Sequence, residues 1–148
     1  MPAARRPALR YPQSRHDPGS APDLADRATR DRLSGPALRA FFNIMARWKV
    51  RDEDARALLG GMTNGPYYEW KRDPDRVLDV DRLTRVSLLV GIFKALNVLY
   101  SRTLADHWIH LPNTNRVFAG ATPLDYLSHG GVPALLTVRR LLDARRAG

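Results

Sequence analysis

The most regular pattern of apolar and polar residues lies between Asp81 and Tyr100. Apolar residues recur there at intervals of three, four and seven positions, which is the spacing of one helical face. They are Leu83, Val86, Val90, Phe93 and Tyr100, and the stripe is widened by Leu88, Leu89, Ile92, Leu96 and Leu99. Because most of the circumference is apolar, the pattern predicts a central helix that is packed on several sides. Gly91 within it predicts a close approach by a neighbouring helix, and the charged residues along the stretch argue against a membrane span.

Residues 34–78 have a pattern typical of a helix-turn-helix. Ser34 is predicted to cap a first helix, with Pro36 in its first turn. An apolar face follows, made by Leu38, Phe41, Phe42, Met45 and Trp48. Three acids at residues 52–54 predict the start of a second helix, because the helix dipole favours negative charge in the first turn. The pair Gly60-Gly61 fits a helix end that needs left-handed backbone.

A third short helix, from Asn64 to Arg72 with Thr63 as its cap, is the candidate recognition helix. In helix-turn-helix proteins this helix lies in the major groove, with its N-terminal residues at the base edges. The candidate DNA-binding residues are therefore Thr63, Asn64, Tyr67, Tyr68, Lys71 and Arg72. Trp70 is predicted to be core, whereas Tyr68 is open between core and DNA. The unusual Gly65-Pro66 leaves the base-reading positions open.

The last seventy residues, 79–148, predict a small bundle that begins with the central helix. Thr103 and Asp106 have the form of a capping box. Thr122, followed by Pro123, has the form of another helix start. After a glycine pair, a last helix is predicted over residues 133–147, with Leu135, Val138 and Leu142 as its buried stripe. The whole pattern predicts an all-α fold.

Residues 1–33 are rich in proline, arginine, aspartate and alanine and have few large apolar residues. Such a composition predicts a disordered basic arm, apart from a possible short polar helix over residues 23–32. The arm would either contact phosphates through Arg5, Arg6, Arg10 and Arg15 or be a solvated extension with no sequence-specific role. The net charge of +9 favours polyanionic partners such as nucleic acid, although the charge is spread along the whole chain.

The sequence offers little for catalysis. It contains no cysteine, which excludes disulfides and thiolate metal sites and fits a reducing cytosol. No signal segment follows Met1, so a cytoplasmic location is predicted. His107 and His110 lie near Asp106 at a spacing that metal ligands use, but a third convergent ligand is not evident. Neither a metal nor a cofactor is predicted, and a metal-dependent enzyme built on the two histidines is the weakest reading.

Residues 36–146 resemble the Xre/MbcA/ParS antitoxins. The motifs that carry the resemblance are Gly61-Met62-Thr63, Tyr67-Tyr68, Trp70-Lys71, residues 83–100, Asp106-His107-Trp108-Ile109, Leu111-Pro112-Asn113, Phe118-Ala119-Gly120, Thr122-Pro123-Leu124-Asp125, Gly130-Gly131 and residues 138–143. The resemblance implies an Xre-like helix-turn-helix half, residues 34–78, packed with a C-terminal helical toxin-binding domain, residues 79–148. The long N-terminal arm and Gly65-Pro66 depart from the family pattern, so the role of the arm and operator recognition stay open.

The same resemblance implies a function. Such proteins are antitoxins of type II systems that neutralise a RES-domain toxin, an enzyme that consumes NAD or transfers ADP-ribose to a target, by covering its active-site entrance. Members are similar in forming homodimers and in binding their own promoter. The toxin-binding residues expected on this basis are Asn113, Phe118, Arg139, Arg140, Asp143, Arg145 and Arg146. An ion pair within the helix is an equally good reading of Arg139 and Asp143. The alternative function is a stand-alone helix-turn-helix transcriptional regulator.

Overall fold

The computed structural model describes residues 22–148, and all regular structure in that range is helical. The α-helices, in chain order, are α1 Arg27–Arg47, α2 Asp52–Leu58, α3 Asn64–Arg72, α4 Val80–Leu99, α5 Arg102–His107 and α6 Pro123–Ala147. Two short 3₁₀ helices, Trp108–His110 and Arg116–Phe118, connect α5 to α6. The prediction of an all-α fold is confirmed. None of the helices in this part of the chain is both long and apolar enough to cross a membrane.

Helix α4 is the central element, as the periodicity predicted. Its bounds agree with the predicted Asp81–Tyr100 to within one residue at each end. Asp79 caps it by accepting a hydrogen bond from the Arg82 N–H at 2.8 Å. It packs mainly against α1 on one side and α6 on another. The side chains that it buries completely are Leu83, Val86, Leu89, Ile92, Ala95 and Leu96.

Helix α1 begins earlier than predicted. Asp26 caps it through the Thr29 N–H at 3.2 Å, so the helix runs unbroken through the predicted boundary between residues 33 and 34. The short helix considered for residues 23–32 is thus present from Arg27 as the start of α1, and the predicted boundary of the arm at residue 33 is wrong. Residues 1–21 lie outside the described residues. The predicted arm arginines lie in that undescribed part: Arg5, Arg6, Arg10 and Arg15.

Ser34 is not a helix cap. It is fully buried inside α1, and its Oγ accepts a hydrogen bond from the backbone N–H of Leu78 at 2.9 Å. Pro36 also lies within the helix rather than in its first turn. Ser34 therefore ties α1 to the segment that leads into α4.

Helix α6 begins as predicted, with Thr122 accepting from the Asp125 N–H at 3.2 Å and Pro123 in the first turn. The backbone at Gly131 is non-helical, with φ 64° and ψ −155°, so the predicted glycine break is confirmed as a kink within one long helical run. The predicted stripe of Leu135, Val138 and Leu142 is fully buried.

The start of α5 corrects another prediction. Ser101, not Thr103, is the cap, and its Oγ accepts from the Leu104 N–H at 3.3 Å. Asp106 instead forms an ion pair with Arg47 of α1, with Nε 3.0 Å from Oδ1. Helix α2 also packs against α6, so the two predicted halves share one continuous core.

Candidate DNA-contacting helix and toxin-binding surface

Helices α2 and α3 form the predicted pair of short helices joined by a glycine turn. Gly60 and Gly61 both have positive φ, 95° and 85°, which explains why glycine is needed at the end of α2. Helix α3 has the predicted bounds, Asn64–Arg72, and the chain leaves the helix at Asp73. Two short helices joined by a glycine turn are therefore present, and their function depends on what α3 exposes.

Tyr67 does not face outward. Its side chain is 1% exposed, its ring lies edge-on to Phe42 with centroids 5.7 Å apart, and its hydroxyl donates to Asp52 Oδ1 at 2.7 Å. Burial and the neighbouring carboxylate raise the pKa of the Tyr67 phenol, so it stays a neutral donor. The prediction that Tyr67 contacts DNA is wrong in this conformation, because its ring anchors α3 to α1.

Two more of the predicted DNA-binding residues also converge on Asp52. Tyr68, which is 49% exposed, donates its hydroxyl proton to Asp52 Oδ2 at 3.2 Å. Lys71 places its Nζ 2.8 Å from Oδ1 of the same carboxylate. These contacts lower the pKa of Asp52 below its ordinary value. The hydrogen bond from Lys71 lowers it most, and that from Tyr67 comes next. Sequence reasoning missed Asp52, which it treated only as a favourable acid at a helix start.

Thr63, Asn64 and Arg72 are exposed. Thr63 occupies the N-cap position of α3 without using its side chain as a cap, which leaves the hydroxyl on the surface. Trp70 is half-buried rather than core, and the guanidinium of Arg82 lies over its ring at 5.6 Å from the centroid. The exposed part of α3 therefore comprises every residue except the buried Tyr67 and the half-buried Trp70.

The C-terminal part of α6 carries the predicted toxin-binding arginines, and the structure separates them into two groups. Arg140, Arg145 and Arg146 are exposed, and we call these three the arginine face. Arg145 Nη1 donates to the Tyr100 hydroxyl at 3.0 Å, which ties the end of α6 to the end of α4. The arginine face therefore consists of three exposed cations near the C-terminal end of α6.

Arg139 and Asp143 form the second group. Arg139 Nε lies 2.9 Å from Asp143 Oδ2, so the alternative of an ion pair within the helix is confirmed. The Arg139 guanidinium fills the space that a Cβ on Gly91 would need. The predicted close approach at Gly91 is thus confirmed, although an arginine side chain of α6 makes it.

The loop before α6 contributes less surface than predicted. Phe118 is 2% exposed, with its ring edge-on to Trp108 and Tyr126 at centroid distances of 5.8 Å and 5.4 Å. The prediction that Phe118 contacts a toxin is wrong in this structure. Asn113 is half-buried, and its Oδ1 accepts from the Asn115 N–H at 2.9 Å, so it shapes the loop. Within the segment 113–118, which was predicted to contribute to the toxin-binding surface, the exposed residues are Thr114 and Arg116.

The histidines make structural contacts. His107 Nδ1 is 2.8 Å from the Thr103 carbonyl oxygen, and His110 Nε2 bonds to the Trp48 carbonyl oxygen. Within residues 22–148 no three histidine, cysteine or acidic residues are grouped as a metal site requires.

Comparison with known proteins identifies the class of this helical fold. Residues 95–148, which include α5 and α6, match the model of the antitoxin Xre/MbcA/ParS C-terminal toxin-binding domain. The chain is also 38% identical over 112 residues to "Uncharacterized protein y4oB" of Sinorhizobium fredii (strain NBRC 101917 / NGR234), covering 75% of this chain and 84% of that protein. Residues 95–148 therefore form the C-terminal toxin-binding domain of the Xre/MbcA/ParS antitoxin family, and the predicted resemblance is confirmed for this part of the chain. A toxin-binding domain implies a toxin as partner.

Proposed function

We propose that this protein is the antitoxin of a type II toxin-antitoxin system and that it neutralises a RES-domain toxin by covering its active site. The toxin would consume NAD, either by degrading it or by transferring ADP-ribose. The observation that carries the proposal is the family match over residues 95–148. The exposed arginine face lies within the matched segment and supplies a surface for a partner.

The chemistry of the arginine face suggests how it binds. A pocket that accepts the pyrophosphate of NAD is itself rich in positive charge or hydrogen-bond donors, so arginines match acids at the pocket mouth better than the pocket interior. A guanidinium pairs with a carboxylate through two parallel hydrogen bonds, which fixes orientation as well as charge. Arg139 and Asp143, which neutralise each other, would hold α6 against α4 and so present the face.

Co-expression with the product of the adjacent gene tests this function. The two chains are expected to co-purify, and the double variant Arg140→Ala/Arg146→Ala is expected to lose the complex while remaining folded. The matched control is Arg32→Ala/Arg39→Ala, which removes the same charge from exposed positions of α1. Equal loss of the complex in both variants would show a general charge effect, and no loss in either would exclude the arginine face.

DNA binding through α3 is the second activity in this proposal. Thr63, Asn64 and Arg72 are the exposed donors and acceptors that would meet bases or phosphates, with Tyr68 and Lys71 at the edge of the same helix. We expect the protein to act as a homodimer in the cytoplasm and to bind its own promoter. The alternative is a stand-alone transcriptional regulator, and the only feature that supports it is the α2–α3 helix pair. It predicts that the protein binds DNA and forms no complex with a toxin.

A further inference from the structure

The carboxylate of Asp52 in α2 receives three side-chain donors from α3. Tyr67 donates at 2.7 Å, Tyr68 at 3.2 Å and Lys71 at 2.8 Å. Two phenols and an ammonium of this nine-residue helix thus surround one anion. The contact is what joins the polar side of α3 to α2.

A phosphate of the DNA backbone is bound by the same kinds of group. Protein contacts to phosphate oxygens come mainly from lysine and arginine, with hydroxyl groups such as that of tyrosine adding hydrogen bonds. In this chain a lysine and a tyrosine of α3 are instead paired with the carboxylate of Asp52. A lysine that is paired with a carboxylate contributes little net positive charge to the surface seen by DNA.

We propose that Asp52 is an internal substitute for a DNA phosphate that withholds Lys71 and Tyr68 from the DNA backbone. The inference rests on the proposed DNA binding of α3 and specifies which of its residues determine its affinity for DNA. Sequence-independent binding then depends on the remaining exposed groups, including Arg72. Asp52 therefore sets how strongly the antitoxin binds DNA of any sequence.

The geometry allows this contact to be altered without dismantling the helix pair. The side chains of Lys71 and Asp52 are 48% and 36% exposed, so their ion pair lies at the surface. Tyr67 is buried and would keep a hydrogen-bond acceptor in Asp52→Asn, because the amide oxygen replaces Oδ1. Glu53 is the next residue of α2 and is exposed, so Glu53→Gln changes the net charge equally and leaves the α2–α3 contact in place.

The experiment measures binding of a short mixed-sequence DNA duplex by fluorescence anisotropy between about 50 and 200 mM salt. Asp52→Asn is expected to bind more tightly than wild type, with a slope of log K against log salt steeper by about 0.9, the value for one added phosphate contact. The ratio of the DNA affinity of Asp52→Asn to that of wild type is then expected to fall about 3-fold from the lowest to the highest salt concentration. Adding Lys71→Gln to Asp52→Asn is expected to abolish the change, while Glu53→Gln leaves the slope as in wild type.

Each result decides the question. If wild type binds and Asp52→Asn binds no more tightly than Glu53→Gln, the inference is overturned while DNA binding stands. If neither wild type nor any variant binds a duplex, the DNA-binding part of the proposed function fails and the inference fails with it. If Asp52→Asn does not fold, Lys71→Gln in the wild-type background decides: an unchanged slope supports the inference, and a slope shallower by about 0.9 overturns it.

Discussion

The guanidinium of Arg139 in α6 lies directly on Gly91 of α4, where any larger residue would meet it. The same guanidinium pairs with Asp143 one helical turn further along α6. The absence of a side chain at position 91 thus lets two core helices be joined by a polar group at the surface. Since the arginine face is on the same helix, this contact also orients the surface that we assign to the toxin.

Gly91→Ala is expected to displace the Arg139 side chain without unfolding the protein. Alanine gains about 1 kcal/mol of helix propensity over glycine, and loss of an exposed ion pair costs about 0.5 kcal/mol. The free energy of unfolding, measured by urea denaturation, should therefore stay within about 1 kcal/mol of wild type. Ser87→Ala, at an exposed position of the same helix, is the control. A loss above about 2 kcal/mol would show that the guanidinium cannot move aside.

Ser34→Ala is expected to destabilise the fold by about 1–3 kcal/mol, because it leaves the buried N–H of Leu78 without an acceptor. Ser128→Ala is the matched control. Its Oγ is buried and has no hydrogen-bond partner among the described residues, so its removal should change the unfolding free energy by less than about 0.5 kcal/mol. Equal effects of the two substitutions would contradict the role given to Ser34.

The hydroxyl of Tyr67 can be removed without changing the ring. Tyr67→Phe should cost about 1–3 kcal/mol of stability, because the bond that it breaks is short and ends on a carboxylate. Tyr68→Phe breaks a longer and exposed bond to the same carboxylate and should cost less than about 0.5 kcal/mol. Thermal unfolding of the two variants side by side measures the difference. If Tyr68→Phe proved the more damaging, Tyr67 would not be the anchor of α3.

The stability of the fold should fall in acid partly through Asp52. Its pKa is lowered below 3.8 in the folded protein, chiefly by the hydrogen bond from Lys71. A carboxyl with a depressed folded pKa contributes stability above its unfolded pKa, and this contribution is lost as pH falls through the folded value. Asp52→Asn should therefore show a shallower loss of stability below pH 3.8 than wild type. Denaturation curves at several pH values for this variant, wild type and Glu53→Gln provide the test, and identical pH profiles would contradict it.

The sequence alone predicted those helices and helix ends that are determined by residues close by in the chain. Helix α4 follows from its own apolar spacing, and the start of α6 follows from the adjacent Thr122 and Pro123. The end of α2 follows from a glycine pair that tolerates positive φ. In each case the residues that decide the structure lie within one or two helical turns of it.

The sequence was insufficient where the partner lies far along the chain. Ser34 has the form of a cap, but its hydroxyl bonds to a residue 44 positions away. Tyr67 was assigned to DNA because of its place in α3, whereas Asp52 and Phe42 draw it into the core. Phe118 was likewise assigned to a toxin because of its place in a loop, whereas the rings of Trp108 and Tyr126 pack against it and bury it. Burial of an aromatic ring depends on tertiary neighbours, which periodicity alone does not supply.

The central claim is that this chain neutralises an NAD-consuming toxin, and a titration of NAD turnover tests it most directly. NAD loss reports both degradation of NAD and transfer of ADP-ribose, so one assay covers both chemistries proposed for the toxin. As this protein is added to the purified product of the adjacent gene, NAD consumption is expected to fall to background at a fixed molar ratio. NAD turnover that persists in the presence of excess protein would contradict the account.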